Sequence, residues 1–198
     1  MNREEIEILK REELYRLCAI IHSAARARGW WKDPATGLDT NRDAGQLLKL
    51  VDTEVLEAYQ ALMLDTRDEH LPHLSGYRVE VADAFIRICD LSPIHFPGWP
   101  DFFEGITVGS AKGIVMGNWD VSDRETLMAI PLILAAVLEA WRRGHQPEAE
   151  RALAIAAFLL IKLGGDGFLN VVDQKLAYNA QRHDHSLEAR RAEGGKKV

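Results

Sequence analysis

The sequence predicts an all-α protein. No segment sustains the period-two alternation of a half-buried strand, and apolar residues recur at helical spacing through most of the chain. The interruptions carry the Gly, Pro, Asp and Asn chemistry that starts and stops helices.

Taken in order, residues 3 to 28 place Leu14, Leu17, Cys18, Ile21, Ala24 and Ala25 on one stripe, with Gly29 as the stop. The segment "WWKDPATGLDTNRD" has loop composition. A second helix is expected over 43 to 65, broken by "RDEHLPHLSGY", and a third over about Arg78 to Leu91. Residues 92 to 123 form a long Pro- and Gly-rich loop, a length that tends to be functional or to hide short structure. "SDRE" then reads as a capping box, with Ser122 as N-cap and Glu125 reaching back. Its helix should run to Arg143, be kinked by Pro131 and stop at Gly144. Pro147 opens another helix to Leu163, closed by "GGDG", and a last helix spans Phe168 to His185. The expected organisation is a single domain over 1–185, with 186–198 a disordered tail.

Composition narrows the function. With 24 Lys and Arg against 30 Asp and Glu, the formal net charge is −6. A nucleic-acid polymer is held by a Lys/Arg excess, so such a partner is not expected. An acidic protein that handles phosphates needs a metal ion between like charges. The longest apolar stretch, "LMAIPLILAAVLEAW", is too short for a membrane span and contains Glu139. The start "MNREEIEILKREEL" is too charged for a secretory signal. Cys18 and Cys89 read as reduced, buried thiols, so a cytoplasmic location is expected.

The second and third predicted helices carry carboxylates where apolar side chains belong. Leu47, Val51, Glu54, Ala58 and Leu62 share one stripe, with Glu57 one turn along on its edge. On the next helix Val79, Asp83 and Ile86 share a row that Glu80 borders. Packed antiparallel, the two helices would gather four carboxylates at a partly dry interface. Burying them unpaired costs many kcal/mol unless they are protonated or bind a cation. An all-oxygen set suits Mg²⁺, with Mn²⁺ as the alternative metal. For either pair alone, a solvated surface pair is the competing reading.

The run "LLKLVDTEVLEAYQALM…DEHLPHLSGYRVEVADAFIRICDL" resembles the MazG-like, all-α nucleoside triphosphate pyrophosphohydrolases, with their Glu-x-x-Glu, gap, Glu-x-x-Asp signature. Twenty-two residues separate Glu57 from Glu80, inside the family's range. "IIHSAARARGWW" is similar to the first helix and aromatic turn of phage and bacterial members. "VVDQKLAYNAQRHDH" resembles their Lys-x-x-x-Asn-x-x-Arg element, with Lys175, Asn179 and Arg182 on one helical face. Residues 92–167 depart from the pattern as an insertion of a long loop and two helices. The resemblance implies a MazG-like bundle and a Mg²⁺-dependent enzyme that cleaves a nucleoside triphosphate between its α and β phosphates. It implies Glu54, Glu57, Glu80 and Asp83 as metal ligands, with Glu54 or Glu57 as the base toward water. Lys175, Asn179 and Arg182 are implied as phosphate contacts, and a homo-oligomer, dimer or tetramer, as the assembly. House-cleaning of the nucleotide pool is the role this suggests. The alternative is a non-catalytic helical protein that keeps the acidic site for a regulatory nucleotide, a metal or subunit assembly.

Other residues divide between chemistry and packing. Trp30 and Trp31 offer either a flat face for a nucleobase or an anchor for their loop. Arg87, one turn after Asp83, divides between a phosphate contact and pairing with a carboxylate of the cluster, and the pairing is expected. His22, His70 and His73 read as structural. Phe96, Trp99, Phe102, Phe103 and Trp119 are expected to pack the added helices rather than form a lid.

Overall fold

The computed structural model describes residues 9–106, 122–183 and 186–192. Among them lie seven α-helices: α1 (Arg11–Ala27), α2 (Ala44–Leu64), α3 (Gly76–His95), α4 (Asp123–Arg142), α5 (Gln146–Gly164), α6 (Phe168–Gln181) and α7 (Leu187–Arg191). A 3₁₀ turn at Trp99–Phe102 and two isolated bridges, Lys32 with Asp39 and Arg67 with Ser75, complete the described structure. The all-α expectation holds for these residues. None of the helices is by itself long and apolar enough to cross a membrane.

Helix starts follow local chemistry. The Asp43 side chain accepts from the Gln46 N–H at 2.9 Å and fixes the first turn of α2. Ser122 and Glu125 form the anticipated reciprocal cap on α4, the Ser122 N–H donating to Glu125 Oε2 at 2.9 Å. Gly29 and Gly144, at φ 80° and 76°, turn the chain left-handed after α1 and α4. Asp65 plays that part after α2 at φ 49°, a conformation that Asp tolerates better than most side chains. Secondary structure is unbroken across Pro131, so the helix passes through the predicted kink position.

The third helix is the organising element. It packs against α1, α2, α5 and α6, and Phe85, Ile88 and Leu91 on it are fully buried. Each such side chain contributes about 1.5–3 kcal/mol, enough to support some polar burial on the same helix. Ala61 faces Gly76 and Glu54 faces Arg87, so α2 and α3 run antiparallel as expected. The α4–α5 pair joins the same core, α4 lying against α2 and α5 against α3. Phe96, Trp99 and Phe103 are buried within it, consistent with packing, whereas Trp119 lies outside the described residues. Cys18 and Cys89 are buried free thiols.

Between α5 and α6 the chain bends by 97°. Gly164 permits the bend, because a Cβ there would sit 1.9 Å from the Phe168 ring, which packs edge-on to Phe85 at 5.5 Å. Gly164→Ala is expected to cost about 1–3 kcal/mol through overpacking, read as a lower urea midpoint with an unchanged slope.

Two expectations about the C-terminus are corrected. The last long helix ends at Gln181, not His185, so Arg182 is an extended C-cap (φ −69°, ψ 117°) and leaves the helical face assigned to it. Residues 187–191 are helical rather than part of a disordered tail; residues 193–198 lie outside the described set. The short helix is held by a local Ser cap and by two long-range arginine contacts that local sequence does not reveal. Ser186 Oγ caps it at Ala189 N, Arg191 Nε donates to the Pro34 carbonyl at 2.7 Å, and Arg190 is buried against the loop after α1.

Candidate functional site

Successive turns of α3 place Glu80, Asp83, Arg87 and Asp90 along one side of a cavity of about 910 Å³. The neighbouring face of α2 adds Glu54 and Glu57, and α6 adds Lys175 and Asn179. Three helices of the sequence reading therefore reach one cavity within a single chain.

Glu54, Glu57 and Glu80 each present a carboxylate oxygen within 4.8 Å of the other two. Glu54 is buried, Glu80 half-buried and Glu57 exposed. Their charges repel in a partly dry setting. Burial first, then the Asp83 and Glu54 charges, push the Glu80 carboxyl up to about 8. Partial burial and Glu54 raise Glu57 as well. An oxygen-only trio whose crowded negative charges repel one another, and draw protons in the absence of a cation, is suited to a hard divalent cation.

Asp83 stands apart from the trio. Its Oδ2 accepts from Lys175 Nζ at 2.8 Å, the two side chains being 17% and 7% exposed. Burial raises Asp83 to about 6 even against the pull of Lys175. Burial alone would lower Lys175, but Asp83, with Glu80 and Asp68 behind it, outweighs that and the ammonium is raised. The residue expected as the fourth metal ligand and the one expected on phosphate thus satisfy each other, since two opposite buried charges side by side cost less than either alone. Arg87 behaves as expected: its Nε donates to Glu54 Oε1 at 2.5 Å, and its Nη2 pairs with the same oxygen.

The two tryptophans separate. Trp30 lines the cavity. Trp31 does not; it is 2% exposed, and its indole N–H donates to Asp90 Oδ1 at 2.8 Å. The anchor reading therefore fits Trp31, and a base-facing role there is corrected by its burial. His22 shares the anchor, its Nδ1 lying 2.8 Å from the Asp90 carbonyl. His70 stacks on Tyr178 and His73 Nε2 meets Gln174 Oε1 at 2.7 Å, so both histidines pin the α2–α3 turn to α6. Asn179 and Arg182 line the cavity, and the Arg182 carbonyl accepts from Arg28 at 3.2 Å.

Several wall residues escaped the sequence reading. Arg28, Arg42 and Asp90 line the cavity, and Arg190 braces it from behind. The Arg190 guanidinium lies 4.4 Å from the Trp30 ring centre and donates to the Gly29 carbonyl at 2.5 Å. Arg190→Ala should lower stability by about 1–3 kcal/mol through the lost charge-assisted bond and ring contact, measured by urea unfolding. Only the regular stripe on α3 could have signalled Asp90, at i+7 from Asp83. Comparison with protein-family models, with curated proteins and with solved structures finds no match.

Proposed function

We propose that this protein is a nucleoside triphosphate pyrophosphohydrolase of the MazG-like kind, dependent on Mg²⁺ or Mn²⁺. The observation that carries the reading is the convergence of Glu54, Glu57 and Glu80 within 4.8 Å on the wall of a cavity that also holds Lys175 and Asn179. Glu54, Glu57 and Glu80 would hold the cation, with Asp83 beside them on Lys175. When bound, the cation supplies Lewis-acid polarisation of a phosphoryl oxygen and a water of lowered pKa.

The chain's own groups then divide the work. Glu54 or Glu57 orients the attacking water and takes its proton. Water adds across the α–β anhydride: one P–O bond forms, the bridging P–O bond breaks, and monophosphate and pyrophosphate leave. Lys175 and Asn179 offer an ammonium and an amide to the departing charge, and Arg182 adds a guanidinium at the end of α6. Trp30 supplies the apolar face at the cavity wall.

The test is incubation with Mg²⁺ and a panel of ribo-, deoxyribo- and damaged-base triphosphates, with pyrophosphate and orthophosphate measured separately. Pyrophosphate with equimolar monophosphate is expected. Orthophosphate release would refute the bond assignment. A second reading, a non-catalytic nucleotide or metal sensor, is favoured by one feature: Glu54 and Asp83 are already engaged by Arg87 and Lys175. Saturable Mg²⁺-dependent nucleotide binding without turnover would decide for it. A homo-oligomer is proposed with either reading, and sedimentation equilibrium measures it.

A further inference from the structure

The polar side of α3 has two ends. From Glu80 to Asp90 is ten positions, about 15 Å along the helix axis. The carboxylate trio and Lys175 occupy the first end; the second is built by Asp90, Arg42 and the Trp30–Trp31 loop.

Arg42 reaches that second end from the turn before α2. Its carbonyl accepts from His95 Nε2 at 2.9 Å, and its guanidinium lies 5.8 Å from the centre of the Trp31 ring. It lines the cavity and is half-buried, yet no described carboxylate hydrogen-bonds to it. Asp90 is the carboxylate whose field acts on it, while Arg87 and Arg190 add like charge nearby. Asp90 in turn commits Oδ1 to Trp31 and His22, and no described group hydrogen-bonds to Oδ2. The second end thus offers a fork of donors from Arg42 and an acceptor from Asp90, next to the indole of Trp30.

We propose that Arg42 and Asp90 read the base of the nucleotide, selecting one that carries both a carbonyl acceptor and an exocyclic amino group: guanine or cytosine. The orientation rests on the reading above, in which the phosphates lie at the carboxylate end and the nucleoside points toward Asp90. Arg42 has only donors and matches a carbonyl oxygen with a neighbouring ring nitrogen. Asp90 has only acceptors while ionised and matches an amino group. Adenine gives the Arg42 fork a ring nitrogen but no carbonyl, and uracil gives Asp90 a ring N–H but no amino group, so each leaves one of the two side chains with an incomplete set of partners. Such an omission discriminates more strongly than added apolar contact.

Binding of GMP, CMP, AMP and UMP in the presence of Mg²⁺, measured by titration calorimetry, tests this without requiring turnover. GMP or CMP should bind about tenfold or more tightly than both AMP and UMP. Arg42→Lys, which keeps the charge but loses the fork, should remove most of the preference over AMP, change AMP itself less than about threefold, and weaken UMP together with GMP and CMP, since uracil also offers a carbonyl. Arg42→Met should do the same, with circular dichroism reporting its fold. Equal affinities in the wild type, a preference for AMP or UMP, a uniform loss across all four, or no binding at all would each overturn the proposal. The triphosphate assay run beside it separates the two ideas. Base preference without hydrolysis keeps the reader and removes the hydrolase, whereas pyrophosphate release without base preference does the reverse.

Discussion

Replacing Lys175 with methionine is expected to destabilise the fold by about 2–4 kcal/mol near pH 8 and by much less near pH 5. Lys175 is 5% exposed and its ammonium is the hydrogen-bond partner of Asp83. Removing it strands a carboxylate that burial already pushes up to about 6. Without the ammonium that lowers it, Asp83 rises further. A carboxyl whose folded pKa exceeds its unfolded value of about 3.9 favours folding while protonated and loses that contribution as pH climbs. In the wild type that loss is complete a little above pH 6; in the variant it continues to higher pH, so the deficit widens with pH. Lys175 itself stays charged throughout this window, because its folded pKa is raised. Urea unfolding at the two pH values measures the difference. An equal deficit at both would mean that the side chain acts by packing alone. Activity should fall as well, since Asp83 would lose the group that positions it.

The sequence made the helices and the acidic pairs legible because both are local patterns. A 3.6-residue period places Glu54 on the buried stripe of α2, and a spacing of four gives Arg87 to the same cluster. What the period cannot supply is the partner across space. Lys175 on Asp83, Trp31 on Asp90 and Arg190 on Trp30 join segments far apart in the chain, and none leaves a trace in spacing. Helix ends were less legible for the same reason. Arg182 turns out of α6 where its carbonyl meets Arg28, a contact from α1's C-terminal boundary. The tail looked too polar to order, yet Arg190 is 2% exposed because Trp30 and the Gly29 carbonyl receive its charge.

The α4–α5 pair answers a question that the acidic helices leave open. A wet acidic groove buries little area, so a short helical chain needs support from elsewhere. Here α4 covers α2 and α5 covers α3 on sides away from the carboxylates, with Leu127, Ile130, Leu153 and Leu160 fully buried. Both helices that carry the acids are therefore held from within the chain. The described residues of one chain line the cavity from α1, α2, α3 and α6, Lys175 among them.

Glu57→Gln is expected to reduce pyrophosphate release by about 10²–10⁴-fold while leaving the fold intact or slightly more stable. The two effects have opposite signs for one physical reason. Glu57 is exposed at the cavity, has no ion pair among the described residues, and is raised by partial burial and by Glu54. On balance its charge therefore weakens the metal-free fold: partial burial and repulsion from Glu54 and Glu80 outweigh the attraction of Arg87 and Lys175. Gln keeps the shape and removes the charge, so the trio becomes a weaker cation ligand and loses a base toward water. Glu54→Gln differs in a way that serves as a control, because it also breaks the contact with Arg87 and should lower stability together with activity. Thermal unfolding without metal and pyrophosphate release with saturating Mg²⁺ measure the two halves separately. Full turnover in Glu57→Gln would remove that carboxylate from the chemistry. A large loss of stability would mean that it is structural and that the acidic trio is misread.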